Sequence, residues 1–170
     1  MVRKAWVLAL AAALGGCTKV EAPVSSDRVE EKGEPASILR SFPASPAGGI
    51  REPGNSVLRD AKAWEEAWAK ANSHRTPVPG APAVDFAKEM VAFAALGEKP
   101  TGGWSVQIVG ARAVEGKLTI LLSVHEPAAG EAAVKAVARP WHAVVLAKSD
   151  LPVEWARYEP PRPAPRPTKK

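Results

Sequence analysis

The chain opens with a continuous apolar run, Ala5 to Leu14, set behind Arg3 and Lys4. About ten apolar residues suit the hydrophobic segment of a secretion signal and are too few to span a bilayer. From Thr18 to Glu34 the pattern is polar and charged without apolar periodicity, which predicts a flexible stalk rather than a packed element. Ile38-Leu39-Arg40-Ser41-Phe42 and Ser56-Val57-Leu58-Arg59 are short apolar runs on either side of a Pro/Gly loop, Pro43 to Gly54. Asp60 offers a helix N-cap, and Ala61 to Asn72 reads helical. Trp64 and Trp68, four apart, line up with Ala61, Ala67 and Ala71 as the stripe that packs on a sheet. Thr76 to Pro82, with Pro77, Pro79 and Pro82, forbids a continued helix. Met90 to Leu96 is almost unbroken in its apolarity, as a strand buried on both faces would be. Trp104, Val106 and Ile108 then alternate with polar neighbours, Glu115-Gly116 makes a turn, and Leu118, Ile120, Leu122 and Val124 alternate again. That is a hairpin. Ala133 to Ala138 and Trp141 to Ala147, separated by Arg139-Pro140, predict two further strands. The expected fold is mainly β (α+β): a small antiparallel β-sandwich or open barrel of about seven strands with one packed helix.

Leu14-Gly15-Gly16-Cys17 changes the meaning of the leading apolar run. It resembles a bacterial lipobox, in which the chain is cut before the cysteine and the thiol carries lipid. Cys17 is the chain's single cysteine, so disulfides add nothing to the fold. The expected organisation is a lipoprotein signal peptide at 1–16, a lipid-anchored linker at 17–34, a β domain at 35–155 and a Pro/Arg-rich basic tail at 156–170. Its expected location is the bacterial cell envelope, held to a bilayer through the acylated N-terminus, with the covalent lipid on Cys17 its one non-protein group. The net charge of +5 changes the picture little once divided. Arg157, Arg162, Arg166, Lys169 and Lys170 crowd the tail against Glu159, while the interior is close to neutral. A nucleic-acid binder gathers its cations on a folded face, so nucleic acid is an unsuitable partner.

Catalytic motifs are missing. The chain has no Gly-x-Ser-x-Gly, Ser-x-x-Lys, His-Glu-x-x-His, phosphate loop or dinucleotide fingerprint. Of its three histidines, His74, His125 and His142, His125 and its neighbour Glu126 would face opposite sides of a strand and make no pair, which leaves His125 and His142 with a carboxylate as the one combination the sequence keeps open. The expectation is no catalytic residue, no metal and no enzyme activity. What stands out is Lys99-Pro100-Thr101-Gly102-Gly103-Trp104 between two strong strands. Its glycines permit a tight reversal and Pro100 fixes the approach, giving a rigid loop suited to binding.

Val84-Asp85-Phe86, Met90-Val91, Gly97, the Lys99 to Val106 string, Pro127 and Pro140-Trp141-His142-Ala143-Val144-Val145 together resemble the PrcB C-terminal domain family. The resemblance covers about residues 36–150. It implies a non-catalytic binding or accessory module, because the family takes its name from a lipoprotein subunit that supports a secreted protease complex. An envelope protease or another envelope protein is then the expected partner. A weaker similarity is to chagasin-like inhibitors of cysteine peptidases, whose three loops come in the order of Lys99 to Trp104, Pro127 to Gly130 and Arg139-Pro140-Trp141. Both resemblances imply contact through Lys99, Pro100, Thr101, Gly102, Gly103 and Trp104 together with Arg139, Pro140, Trp141 and His142. In the inhibitor reading, Trp141 would be an exposed aromatic anchor.

Overall fold

A computed structural model describes residues 34–128 and 134–158; the signal, most of the linker with Cys17, and the tail beyond Tyr158 lie outside the described residues. Eight strands and one helix follow in the order β1 (Glu34–Ala36), β2 (Ile38–Ser41), β3 (Gly54–Leu58), α1 (Ala61–Ala71), β4 (Glu89–Ala95), β5 (Ser105–Val114), β6 (Lys117–His125), β7 (Trp141–Ala147) and β8 (Val153–Arg157). They make two four-stranded sheets, β1-β5-β6-β8 and β2-β7-β4-β3. The sheets face each other as an open sandwich and do not close into a barrel.

Met90, Ala92, Ala94, Val144 and Leu146 of one sheet pack between the sheets against Val106, Ile108, Ala111, Leu118, Ile120 and Leu122 of the other. The alternate residues of β4 and β7, among them Val91, Phe93, Ala95, Trp141, Ala143 and Val145, form a second core with Trp64 and Ala71 of α1. The β2-β7-β4-β3 sheet is thus the middle layer of three. Its central strands have no solvent face, and that is why their sequences are continuously apolar where β5 and β6 alternate.

Asp60 caps α1 by accepting from the Ala63 N–H at 2.8 Å. Asn72 closes the other end, and Gly49 donates its N–H to the Ala71 carbonyl at 3.0 Å. A Cβ on Gly49 would sit 2.3 Å from the Lys70 carbonyl oxygen, so only glycine lets this segment reach the helix end. The indoles of Trp64 and Trp68 donate to the carbonyls of Pro82 and Pro79. The proline-rich run after α1 therefore supplies the acceptors that two inward-facing indoles need. Asp85 organises the turn into β4, accepting from the Ala87 N–H through its side chain and from Lys88 and Glu89 through its carbonyl.

Two expected elements differ. The strand anticipated over Ala133–Ala138 is reduced, in its described part, to an isolated bridge between Ala138 and Lys99. Both long edges of β7 are already taken by β2 and β4, so this stretch cannot pair with the strand that follows it. Conversely, Val153–Arg157 forms β8, paired in parallel with β6, and carries the fold two residues past the expected boundary at 155.

Candidate functional site

The Lys99–Trp104 loop begins at Gly97, whose φ of +69° brings its backbone so close to Arg51 and Pro53 that a Cβ would lie 2.6 Å from the Arg51 carbonyl oxygen. Glu98 then donates its N–H to that carbonyl at 2.9 Å. Lys99 and Ala138 exchange two backbone hydrogen bonds, 2.8 and 3.0 Å, and the Gly102 N–H reaches the Val134 carbonyl at 2.9 Å. Gly103 turns the chain at φ +87°, a conformation in which a side chain is strained. The Lys99 ammonium lies 4.5 Å from the Trp104 ring centroid, a cation–π contact across the loop.

Glu98 and Arg139 tie the two stretches together at the side-chain level. One carboxylate oxygen of Glu98 accepts from Arg139 Nε at 3.0 Å and from its terminal nitrogen at 2.7 Å. The Arg139 hydrogen bond holds the Glu98 carboxyl below its ordinary pKa. Beside this clamp, Val134 is 73% exposed and Val137 57%. The result is a loop fastened to its neighbour by backbone ladders, carrying two apolar side chains that nothing in the described fold covers.

Arg139 borders this surface, but Pro140, Trp141 and His142 do not share it. Trp141 is 3% exposed. Its ring stacks on Phe93, meets Trp68 edge-on, each at 5.6 Å between centroids, and donates to the Ala47 carbonyl. Gly48 packs against the same indole, where a Cβ would come within 2.6 Å. The expectation of Trp141 as an exposed anchor therefore fails on burial, and with it the three-loop edge that an inhibitor of the chagasin kind needs. Alternation along β7 explains this, since Trp141 shares its direction with Ala143 and Val145 toward α1. The residues that the sequence reading missed are Glu98, Val134 and Val137. The two valines carried a strand-like pattern, and only their lack of a sheet partner turns them into a surface.

His142 points the other way, between the sheets. Its Nδ1 accepts from the Ile108 backbone N–H at 2.9 Å and its Nε2 lies 3.1 Å from Ser41 Oγ. Ile108 stands where β5 slips register against β6, so the imidazole satisfies a backbone donor at a bulge. A cleft of about 450 Å³ opens beside the pair, lined in part by Phe42, Pro43, Gln107 and Val109. Ser and His at hydrogen-bond distance suggest a nucleophile and its base, but the tautomer is wrong. A base needs its Nε2 lone pair toward the hydroxyl and a proton on Nδ1. Here the amide donor claims the Nδ1 lone pair, so the neutral ring's proton sits on Nε2. Burial lowers the His142 pKa, the Phe42 backbone offsetting part of the effect, which favours the neutral ring. His125 is exposed at the far end of β6 and does not join it. Among the described residues no group of three or more His, Cys, Asp or Glu could hold a metal.

Residues 90–147, from β4 through β7, match the family described as PrcB C-terminal. No curated protein and no solved structure matches the chain.

Proposed function

Proceeding from residues 90–147 as a PrcB-like domain, we propose that this chain is a non-catalytic accessory lipoprotein, held to a membrane through Cys17, whose β domain binds an envelope protein. A protease complex is the partner the family points to first. The observation that carries the reading is the fastened surface of Lys99 to Trp104 with Val134, Val137 and the Glu98–Arg139 clamp. A loop already ordered loses little entropy on docking, and the uncovered Val134 and Val137 on the stretch fastened to it supply the driving force.

The test is crosslinked retrieval from membranes with the full chain, comparing wild type with Val137→Asp and Gly103→Val. Val137 is exposed, so its aspartate should leave the fold intact and still cost the partner at least about tenfold in recovery. Gly103→Val should do the same by straining the turn. Cys17→Ala should leave the membrane fraction or stall in processing. Retention of the same partner by both loop variants, with unchanged folding, would remove this surface from the account.

A further inference from the structure

The outward side of the β1-β5-β6-β8 sheet is a second surface, built around one arginine. Arg112 sits in the middle of β5, opposite Pro35 of β1 and Thr119 of β6. Its neighbours Ala111 and Ile108 belong to the inter-sheet core, so alternation turns Arg112 outward with Gly110 and Val114. Across the strands the same face carries Leu121, opposite Gly110, and Ala156, opposite Leu121. Leu121 lies across Gly110, its methyl carbon 3.6 Å from where a Cβ would be. Val109, thrust out by the register slip, is 41% exposed.

Within this apolar setting the Arg112 guanidinium is not neutralised. Its Nε is buried with no hydrogen-bond partner. No ion pair among the described residues reaches it: Arg40 pairs with Glu89 and Arg139 with Glu98, and Glu154, in line with Arg112 across Thr119, is held by Lys117. Arginine binds a carboxylate through two parallel N–H donors matching two oxygens, and with Nε covered the pair open to an incoming group is the two terminal nitrogens. A carboxylate on those terminal nitrogens would supply the countercharge that no described residue gives this guanidinium.

We propose that this face docks a protein segment bearing one carboxylate flanked by apolar residues, the carboxylate forking onto Arg112 and the apolar neighbours covering Val109, Leu121 and Val114. A single unpaired cation ringed by apolar side chains matches that chemistry. A membrane surface or other polyanion needs several cations together, and Lys117, the other cation of this face, is already paired. The surface adds to the accessory-module reading and is tested separately from it, because the probe and the variants leave residues 97–104 and 134–139 untouched.

The probe is a capped pentapeptide, Gly-Leu-Glu-Val-Gly, compared with its Gln counterpart. Each is titrated into the isotope-labelled chain carrying Cys17→Ser, while the Arg112 Nε–Hε and the Val109 and Leu121 methyl resonances are followed. The Glu peptide should shift all three and bind at least about tenfold more tightly than the Gln peptide. Arg112→Gln should abolish that difference, and Arg112→Lys, which keeps the charge but not the fork, should erase most of it. Equal binding of both peptides, or no response at millimolar peptide, overturns the proposal. So does an Arg112 resonance already paired without peptide and released by Gln at Asp27, Glu30 and Glu31, which would make the chain's own acidic segment the occupant. Resonances that move with protein concentration alone overturn it in favour of a second copy.

Discussion

Between the two sheets, His142 gives its Nδ1 lone pair to the Ile108 amide and directs Nε2 at Ser41, and that arrangement depends on a neutral ring. Burial lowers its pKa in the fold below the ordinary value of 6.5. The unfolded chain therefore takes up the proton first as pH falls, and stability drops with it. His142's contribution is complete above about pH 6.5 and is lost progressively below that, toward its folded pKa. Urea unfolding of wild type between pH 7.5 and 5 should show this loss. His142→Gln, whose amide can accept from Ile108 and donate to Ser41 without titrating, should lack that part of the slope. Equal slopes in the two proteins would mean that protonation does not disturb the Ile108 contact. The neutral ring was not readable from sequence. The pattern places His142 on the strand Trp141 to Ala147, and only the pairing of β7 with both β2 and β4 shows that strand to be interior.

At the scale of elements, periodicity served well where a strand or helix had a single rhythm. Trp64 and Trp68 give the packed face of α1, the β5–β6 hairpin turns at Glu115-Gly116 with both residues at positive φ, and β4 is buried on both faces. It served poorly where partners decide. Val134 and Val137 are apolar enough for a strand, yet no sheet edge receives them. Val153-Glu154-Trp155-Ala156-Arg157 alternates over only five residues beside a proline-rich tail, and it becomes β8 because the outer edge of β6 is open to it. Val153 and Trp155 then close one end of the inter-sheet core. Removing residues 159–170 should leave the melting temperature within about 2 °C, whereas removing 151–170 should lower it by roughly 8 °C or more, since losing a half-buried Trp and an edge strand costs at least about 2 kcal/mol. Near-equal melting temperatures for the two truncations would show β8 to be dispensable.

Taken as a whole molecule, the fold puts its polar exceptions where they do structural work and its apolar exceptions where a partner could use them. Among the described residues Asn72 and His142 are the buried polar ones; the first ends a helix and the second caps a bulge. Of the five exposed large hydrophobics among the described residues, Val134, Val137 and Val109 lie on the two proposed surfaces, while Leu39 and Val78 lie on neither. Division of eight strands into two sheets, with β1 in one and β2 in the other across the single residue Ser37, is a property of pairing that no local pattern encodes. The burial of Trp141 follows from it, and so does the loss of the inhibitor-like edge. An accessory subunit and an inhibitor differ in what they do to the partner's rate. The measurement that decides is the turnover and the half-life at 37 °C of the protein retrieved through the 99–104 surface, with and without an excess of the purified chain. An accessory subunit should lengthen the half-life severalfold at unchanged turnover, with Val137→Asp losing the effect. A turnover that falls as the chain is added, or a half-life that does not change, would contradict it.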